Sequence, residues 1–186
     1  MYCDKSLKNY LDDLAAKLPA PGGGSAAALV AALGASLISM VVNFTLGKSR
    51  YAKYEKELKE IFSKSESLRV KFLELVDLDV MAYKSKNLRD SLNIPLMVAR
   101  LSFEGMKLCP ALVKKGNLNL ISDVAVAAQL LESGFAAACV NVEINLKSLG
   151  EKKIAAAMRR ELKSKDKMVK KIRLQTEEKV GKIIRG

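Results

Sequence analysis

The chain has 186 residues, 49% hydrophobic and 28% charged, with 32 Lys and Arg against 20 Asp and Glu for a net charge of +12. That length suits one domain, residues 1–186, with a core of its own, and the composition excludes a disordered chain. Histidine is absent and the three cysteines (Cys3, Cys109, Cys139) stand far apart, which excludes a histidine base, a C-x-x-C metal or redox pair and a disulfide framework. Acid–base chemistry therefore falls to Asp, Glu, Lys, Tyr or Cys, no metal is expected, and the reducing cytoplasm is the expected compartment. Asp4 and Lys5 come too early for a secretory leader, so none is expected.

Residues 4–18 read as a short amphipathic helix, with Leu7, Tyr10, Leu11 and Leu14 on one side and Pro19 as its stop. The loop PAPGGGS (19–25) follows, and Ser25 is placed to cap a second helix running to about Gly47. No charge occurs from Ala20 to Gly47, which imitates a membrane span. Ala, Gly and Ser supply about half of it, however, and Ala contributes little transfer free energy. A buried central helix is the expectation, with Ala27, Ala31, Ala35 and Ser39 as a smooth face for another backbone.

A third helix is expected over 51–86, its heptad stripe formed by Leu58, Ser65, Phe72 and Asp79 on one line and Ile61, Leu68, Leu75 and Ala82 on the other. Asp79 thus takes a core-facing position, and Asp77 is expected on the solvated face. A fourth helix starts near Asn93 and Pro95, with proline tolerated at an early position, and is interrupted around Pro110. The loop 114–123 offers Asn119 or Ser122 as the cap of a strongly apolar fifth helix that reaches about Ser148. The last helix, from Gly150, carries 13 Lys/Arg against 5 Asp/Glu and an apolar stripe at Ile154, Met158, Leu162, Val169, Ile172 and Ile183. No strand signal is found. The expected fold is all-α, an up-and-down bundle of about six helices. Two wholly apolar helices are hard to cover in so small a domain, so a homodimer through them is expected.

Four features carry chemistry, each beside a plainer reading. The glycine loop lacks the Gly-Lys-Ser/Thr of a nucleotide P-loop and no strand precedes it, so no nucleotide is expected. Gly22, Gly23 and Gly24 make either a tight turn or an anion-binding backbone at a helix start. Asp79 on an apolar stripe must be paired, protonated or functional, because burial disfavours its charge. Its plainer role is a salt bridge to a lysine of another helix. Tyr83 shares the Asp79 face, to hydrogen-bond a ligand or to pack. Asn141 and Asn145, one turn apart, either orient a polar heterocycle or bind each other and a neighbouring backbone. Asp123 suits the start of its helix through the dipole alone. The basic last helix is read as a solvated face; nucleic-acid binding is the alternative and is not favoured, since no aromatics interleave its charges.

Taken together, LPAPGGGSAAALVAALGASLISMVVNFTLGK (18–48), DLDVMAY (77–83), KGNLNLISDVAVAA (115–128) and VNVEINLKS (140–148) resemble the formiminotransferase-cyclodeaminase and methenyltetrahydrofolate cyclohydrolase family. The resemblance implies an all-α, dimeric domain that binds a tetrahydrofolate derivative, possessing a polyglutamate tail or not, in a cleft lined by these motifs. It implies release of ammonia from 5-formimino-tetrahydrofolate to close the 5,10-methenyl ring, or hydrolysis of that ring to 10-formyl-tetrahydrofolate. Asp79 matches the family's Asp-x-x-Ala-aromatic position and is implied as proton donor and acceptor. Pro21, Gly22, Gly23, Gly24, Ser25, Tyr83, Asn117, Asp123, Asn141 and Asn145 are implied as the substrate-binding wall. Only ten residues separate Tyr83 from Ile94, fewer than in family members. A non-catalytic folate- or ligand-binding helical dimer, its activity lost with the shortened 84–94 segment, is the alternative.

Overall fold

The structure is a computed structural model that describes residues 1–186, the side chain of Leu149 excepted. Seven α-helices and no strand occur among the described residues: α1 (Leu7–Ala15), α2 (Gly23–Asn43), α3 (Glu55–Ser85), α4 (Leu88–Met106), α5 (Cys109–Lys115), α6 (Ile121–Leu149) and α7 (Lys152–Arg185). The expected all-α bundle is therefore present, with α5 as a short extra helix beyond the expected six.

Helix α2 is central, packed between α3 and α6, and α4 and α7 also pack on α6. Small residues make this possible. A Cβ added at Gly134 of α6 would lie 3.0 Å from the Ala31 Cβ, and one at Gly34 of α2 would lie 2.8 Å from Leu131 Cγ. The smooth alanine face thus receives α6, while Ser39 turns to α3 and shares a 2.8 Å hydroxyl–hydroxyl bond with Ser65. Both α2 and the stretch Leu118–Ser148 are long and apolar enough to cross a membrane by length and composition. Burial of Ala28, Ala31, Ala35, Ile38, Val41 and Val42 against the rest of the bundle accounts for the apolarity of much of α2.

Several local expectations are corrected. The first helix ends at Ala15, well before Pro19. Asp77 is 3% exposed rather than solvated, because the N-terminal turn Tyr2–Asp4 folds over it; the amides of Tyr2 and Cys3 donate to its carboxylate at 2.5 and 3.2 Å. Helix α4 starts at Leu88, capped by Asn87, so Pro95 lies in the helix interior rather than near its start. Neither Asn119 nor Ser122 caps α6; Asn117 instead caps the 3-10 turn Leu118–Leu120 that leads into it. On α7 the buried line is Ala155, Leu162, Val169, Thr176 and Val180, and Ile154 and Ile183 face solvent. The basic helix is pinned by Arg100–Glu161, Arg159–Glu143 and Arg173–Glu132 ion pairs.

Candidate active site

The residues around the glycine loop build a cavity of about 280 Å³, lined by Pro19, Ala20, Gly22–Gly24, Asp79, Tyr83, Ser91, Asn141, Ile144 and Asn145. Its floor is the first turn of α2. Gly22 is the N-cap and offers no side-chain acceptor, so Ser25 sits inside the helix, not at its cap. The missing acceptor comes from α3: the Ser25 backbone N–H donates to Asp79 Oδ2 at 2.9 Å. A carboxylate on the amides and positive dipole end of a helix start is a favourable pair.

The glycines are required by that approach. A Cβ at Gly24 would lie 2.1 Å from Asp79 Oδ1, so any side chain there displaces the carboxyl group. Ser25 holds the same junction from behind. Its buried hydroxyl donates to the Val76 carbonyl at 2.9 Å and accepts from the Tyr10 hydroxyl at 3.1 Å. Helices α1, α2 and α3 are thereby tied beneath Asp79.

No lysine pairs with Asp79, so the salt-bridge reading of the heptad position is not realised among the described residues. Burial pushes its pKa above the ordinary carboxylate value, and the Ser25 amide opposes that shift by favouring the ionised form. A pKa raised by burial is the direction that an acid–base catalyst working near neutrality requires.

The two asparagines do not bind each other. Asn141 packs 3.5 Å from the position a Gly23 Cβ would take, and its Nδ2 donates to the Ala137 carbonyl at 2.9 Å, which leaves its other amide atom at the cavity. Asn145 Nδ2 donates to the Ser91 carbonyl at 2.5 Å. That carbonyl stands four residues before Pro95, whose missing N–H would otherwise have bonded it. Asn145 therefore repairs the helix bond that Pro95 removes, and in doing so joins α6 to α4 at the cavity wall.

Of the sequence-predicted site residues, Gly22, Gly23, Gly24, Asp79, Tyr83, Asn141 and Asn145 line one cavity, Ser25 lies directly behind it, and Pro21 is buried in the loop without lining it. Tyr83 is 59% exposed on the rim. Asn117 and Asp123 are elsewhere. Asn117 donates to the Phe44 carbonyl and the Thr45 hydroxyl, at the far end of α2. At 1.5 Å per residue that end is about 30 Å from Gly24. Tyr10 and Ser91 were missed: Tyr10 reads as one more apolar stripe residue, and Ser91 takes part through its backbone, which side-chain patterns do not report.

A carboxyl group seated on a helix start thus faces a small polar cavity in an all-helical bundle. The sequence model of formiminotransferase-cyclodeaminase matches residues 6–87 and 84–164. The chain is 35% identical to methenyltetrahydrofolate cyclohydrolase of Methylorubrum extorquens, over 86% of this chain and 88% of that protein. It is 31% identical to formimidoyltransferase-cyclodeaminase of Rattus norvegicus over 78% of this chain, and spans about a third of that longer protein (31%). The crystal structure of formiminotetrahydrofolate cyclodeaminase from Thermotoga maritima superposes with a TM-score of 0.93 and 28% identity, covering 99% of this chain and 100% of that one. This chain belongs to the formiminotransferase-cyclodeaminase family. The two matched segments overlap at residues 84–87, where α3 ends and Asn87 leads into α4.

Proposed function

We propose that this chain is a folate one-carbon enzyme that works on the 5,10-methenyl bridge, as a cyclodeaminase or as a methenyltetrahydrofolate cyclohydrolase, with Asp79 as the proton-transferring group. The observation that carries the reading is the Asp79 carboxyl group, seated on the Ser25 amide and open to the cavity.

Cyclodeamination forms a bond between N10 of 5-formimino-tetrahydrofolate and the formimino carbon. The attacking nitrogen gives up a proton, and the departing nitrogen takes one and leaves as ammonia. One carboxyl group between the two nitrogens can carry that proton. Hydrolysis runs through the same carbon: water adds to the methenyl carbon and loses a proton, N5 is protonated as its bond breaks, and 10-formyl-tetrahydrofolate remains. An ionised Asp79 also stabilises the cationic methenyl ring. Asn141, Tyr83 and the glycine backbone are proposed to hold the pterin, and surface lysines to meet the glutamate tail. The chain is proposed to act in the cytoplasm as a water-soluble homodimer, without metal or nucleotide.

The test is to add 5,10-methenyl-tetrahydrofolate, and separately 5-formimino-tetrahydrofolate, and follow the methenyl absorbance. Loss of it with the first substrate identifies the hydrolase, and its growth with the second the deaminase. No turnover of either would sink the enzyme reading, and folate binding by calorimetry without turnover would favour the non-catalytic binder.

A further inference from the structure

The positive charge of this chain is concentrated on one helix. Residues 151–186, which hold α7, carry 13 Lys/Arg against 5 Asp/Glu, so +8 of the net +12 belongs to them. Within α7 the charge is concentrated again. Lys153, Arg160 and Lys167 lie seven residues apart, each two residues before a member of the buried line Ala155, Leu162 and Val169. Two residues are about 200° of helical turn, so these three stand on the side away from the bundle. Arg160, Lys163, Lys167 and Lys171 follow one another at three- and four-residue intervals, and Lys152 adjoins Lys153. At 3.6 residues per turn the six fall within an arc of about 100°, and all six are exposed.

No carboxylate balances this arc. Among the described residues none of the six forms an ion pair, and the acids within α7 are engaged elsewhere: Glu161 with Arg100 and Lys165, Asp166 with Lys170, Glu177 with Arg173 and Glu178 with Lys182. Other solvated helix faces of the chain are balanced within a turn, as in Lys8–Asp12, Lys59–Glu55 and Lys71–Glu74. On the α7 arc the neighbours three and four residues apart are like charges, which repel and cost stability. An anionic partner turns that repulsion into attraction.

The chemistry of the arc selects a lipid surface among anionic partners. Residues 151–186 contain no Phe, Tyr or Trp, so nothing there stacks on the bases of a single strand. Five of the six are lysines, point charges without the planar fork by which arginine grips individual phosphates. The arc is also convex, running about 28 Å along the outer side of one helix, a shape that meets a plane along its whole length. Leu174, 55% exposed, continues the Lys153–Arg160–Lys167 line by one more step of seven, and an apolar tip at the end of a basic row suits the headgroup boundary. A cluster of roughly four to eight Lys/Arg on one helix is the composition that binds anionic lipid.

We infer that the Lys152–Lys171 face of α7 is a docking surface for an anionic lipid bilayer, with the helix lying along the headgroups and its buried line still in the bundle. The Arg159–Glu143 and Arg173–Glu132 pairs that hold α7 to α6 lie outside the arc, so docking breaks neither.

Co-sedimentation with vesicles of one part phosphatidylserine to two parts phosphatidylcholine tests this, and no readout involves folate turnover. The wild type is expected to sediment with these vesicles and not with phosphatidylcholine alone. Binding should collapse as salt rises from about 0.1 to about 1 M, where the screening length falls from about 10 to about 3 Å. Each basic group near such a surface is worth about five-fold in affinity, so Arg160→Gln/Lys163→Gln/Lys167→Gln should bind about a hundred-fold more weakly. Lys17→Gln/Lys56→Gln/Lys48→Gln makes the same change in net charge at exposed lysines off α7. It should lose no more than about three-fold, because only groups close to the bilayer contribute fully. Absence of the wild type from the anionic vesicles, equal binding to phosphatidylcholine alone, equal losses in the two triple variants, or tighter retention on a DNA or RNA oligonucleotide than on the vesicles at the same salt would each overturn the inference.

Discussion

The Ser25 backbone N–H and Asp79 Oδ2, 54 residues apart in sequence, are joined by a 2.9 Å hydrogen bond that makes a side chain of α3 the cap of α2. The bond places a carboxyl group at a helix start with no cation paired to it among the described residues.

Gly24→Ala should disable the site without unfolding the bundle. The added Cβ falls 2.1 Å from Asp79 Oδ1, so the carboxyl group must leave the Ser25 amide. Overpacking of this kind costs about 1–3 kcal/mol. A lower melting temperature and at least a tenfold loss of turnover are expected, and wild-type turnover in this variant would show that the carboxylate need not sit where it does.

The pH dependence of stability has a definite sign. Asp79 titrates above its ordinary 3.8 because it is buried, so the folded chain keeps this proton to higher pH than the unfolded chain does. Its contribution is therefore present below the ordinary value and is lost as pH rises through the folded-state value. Asp79→Asn removes that loss. Urea unfolding at pH 4 and pH 7 should show the variant gaining on the wild type as pH rises; a gap that moves the other way would mean the ionised form is the favoured one.

Asn145→Ala leaves the Ser91 carbonyl with neither the Pro95 N–H nor a side-chain donor. Losing one such bond costs about 1–3 kcal/mol where the carbonyl stays dry. Thermal melts should show the loss in the Asn145→Ala variant. Restoring the backbone donor with Pro95→Ala should recover much of it, and additive losses in the double variant would contradict the repair role.

Asp77 predicts a thiol reactivity change. Burial and the nearby Asp77 carboxylate push Cys3 up to about 11, and its thiol donates to the Leu73 carbonyl at 3.1 Å. Asp77→Ala removes the acceptor for the Tyr2 and Cys3 amides, so the N-terminal turn should loosen and Cys3 should react with a disulfide reagent several-fold faster at pH 8. Cys109, pushed up to about 12 by full burial, should stay slow. An unchanged Cys3 rate would show that the turn is held by other contacts.

Much of this was legible in the residues. The heptad of α3 singled out Asp79 because one charged residue interrupts a line of Leu, Ser and Phe, and burial does push its pKa upward. The alanine spacing of α2 announced a close helix neighbour, which is α6. What sequence reasoning missed depends on contacts between distant segments. Ser25 looks like a cap because Ser often is one, yet the cap comes from another helix. Asp77 looks solvated by periodicity, yet residues 2–4 return to cover it. Asn145 reads as bound to a ligand or to a neighbouring backbone, and the backbone carbonyl it meets is the one freed by a proline fifty residues earlier. Asn117 lies in a segment that carries the resemblance, but it stands at the opposite end of α2 from Asp79.

The most direct measurement of the central claim compares steady-state turnover of 5,10-methenyl-tetrahydrofolate and 5-formimino-tetrahydrofolate by the wild type and by Asp79→Asn at neutral pH. Loss of a positioned acid–base group typically costs about 10²–10⁴-fold, and a fall of that size with folate binding retained is the predicted result. Equal turnover by the two proteins would remove Asp79 from the reaction and contradict the account.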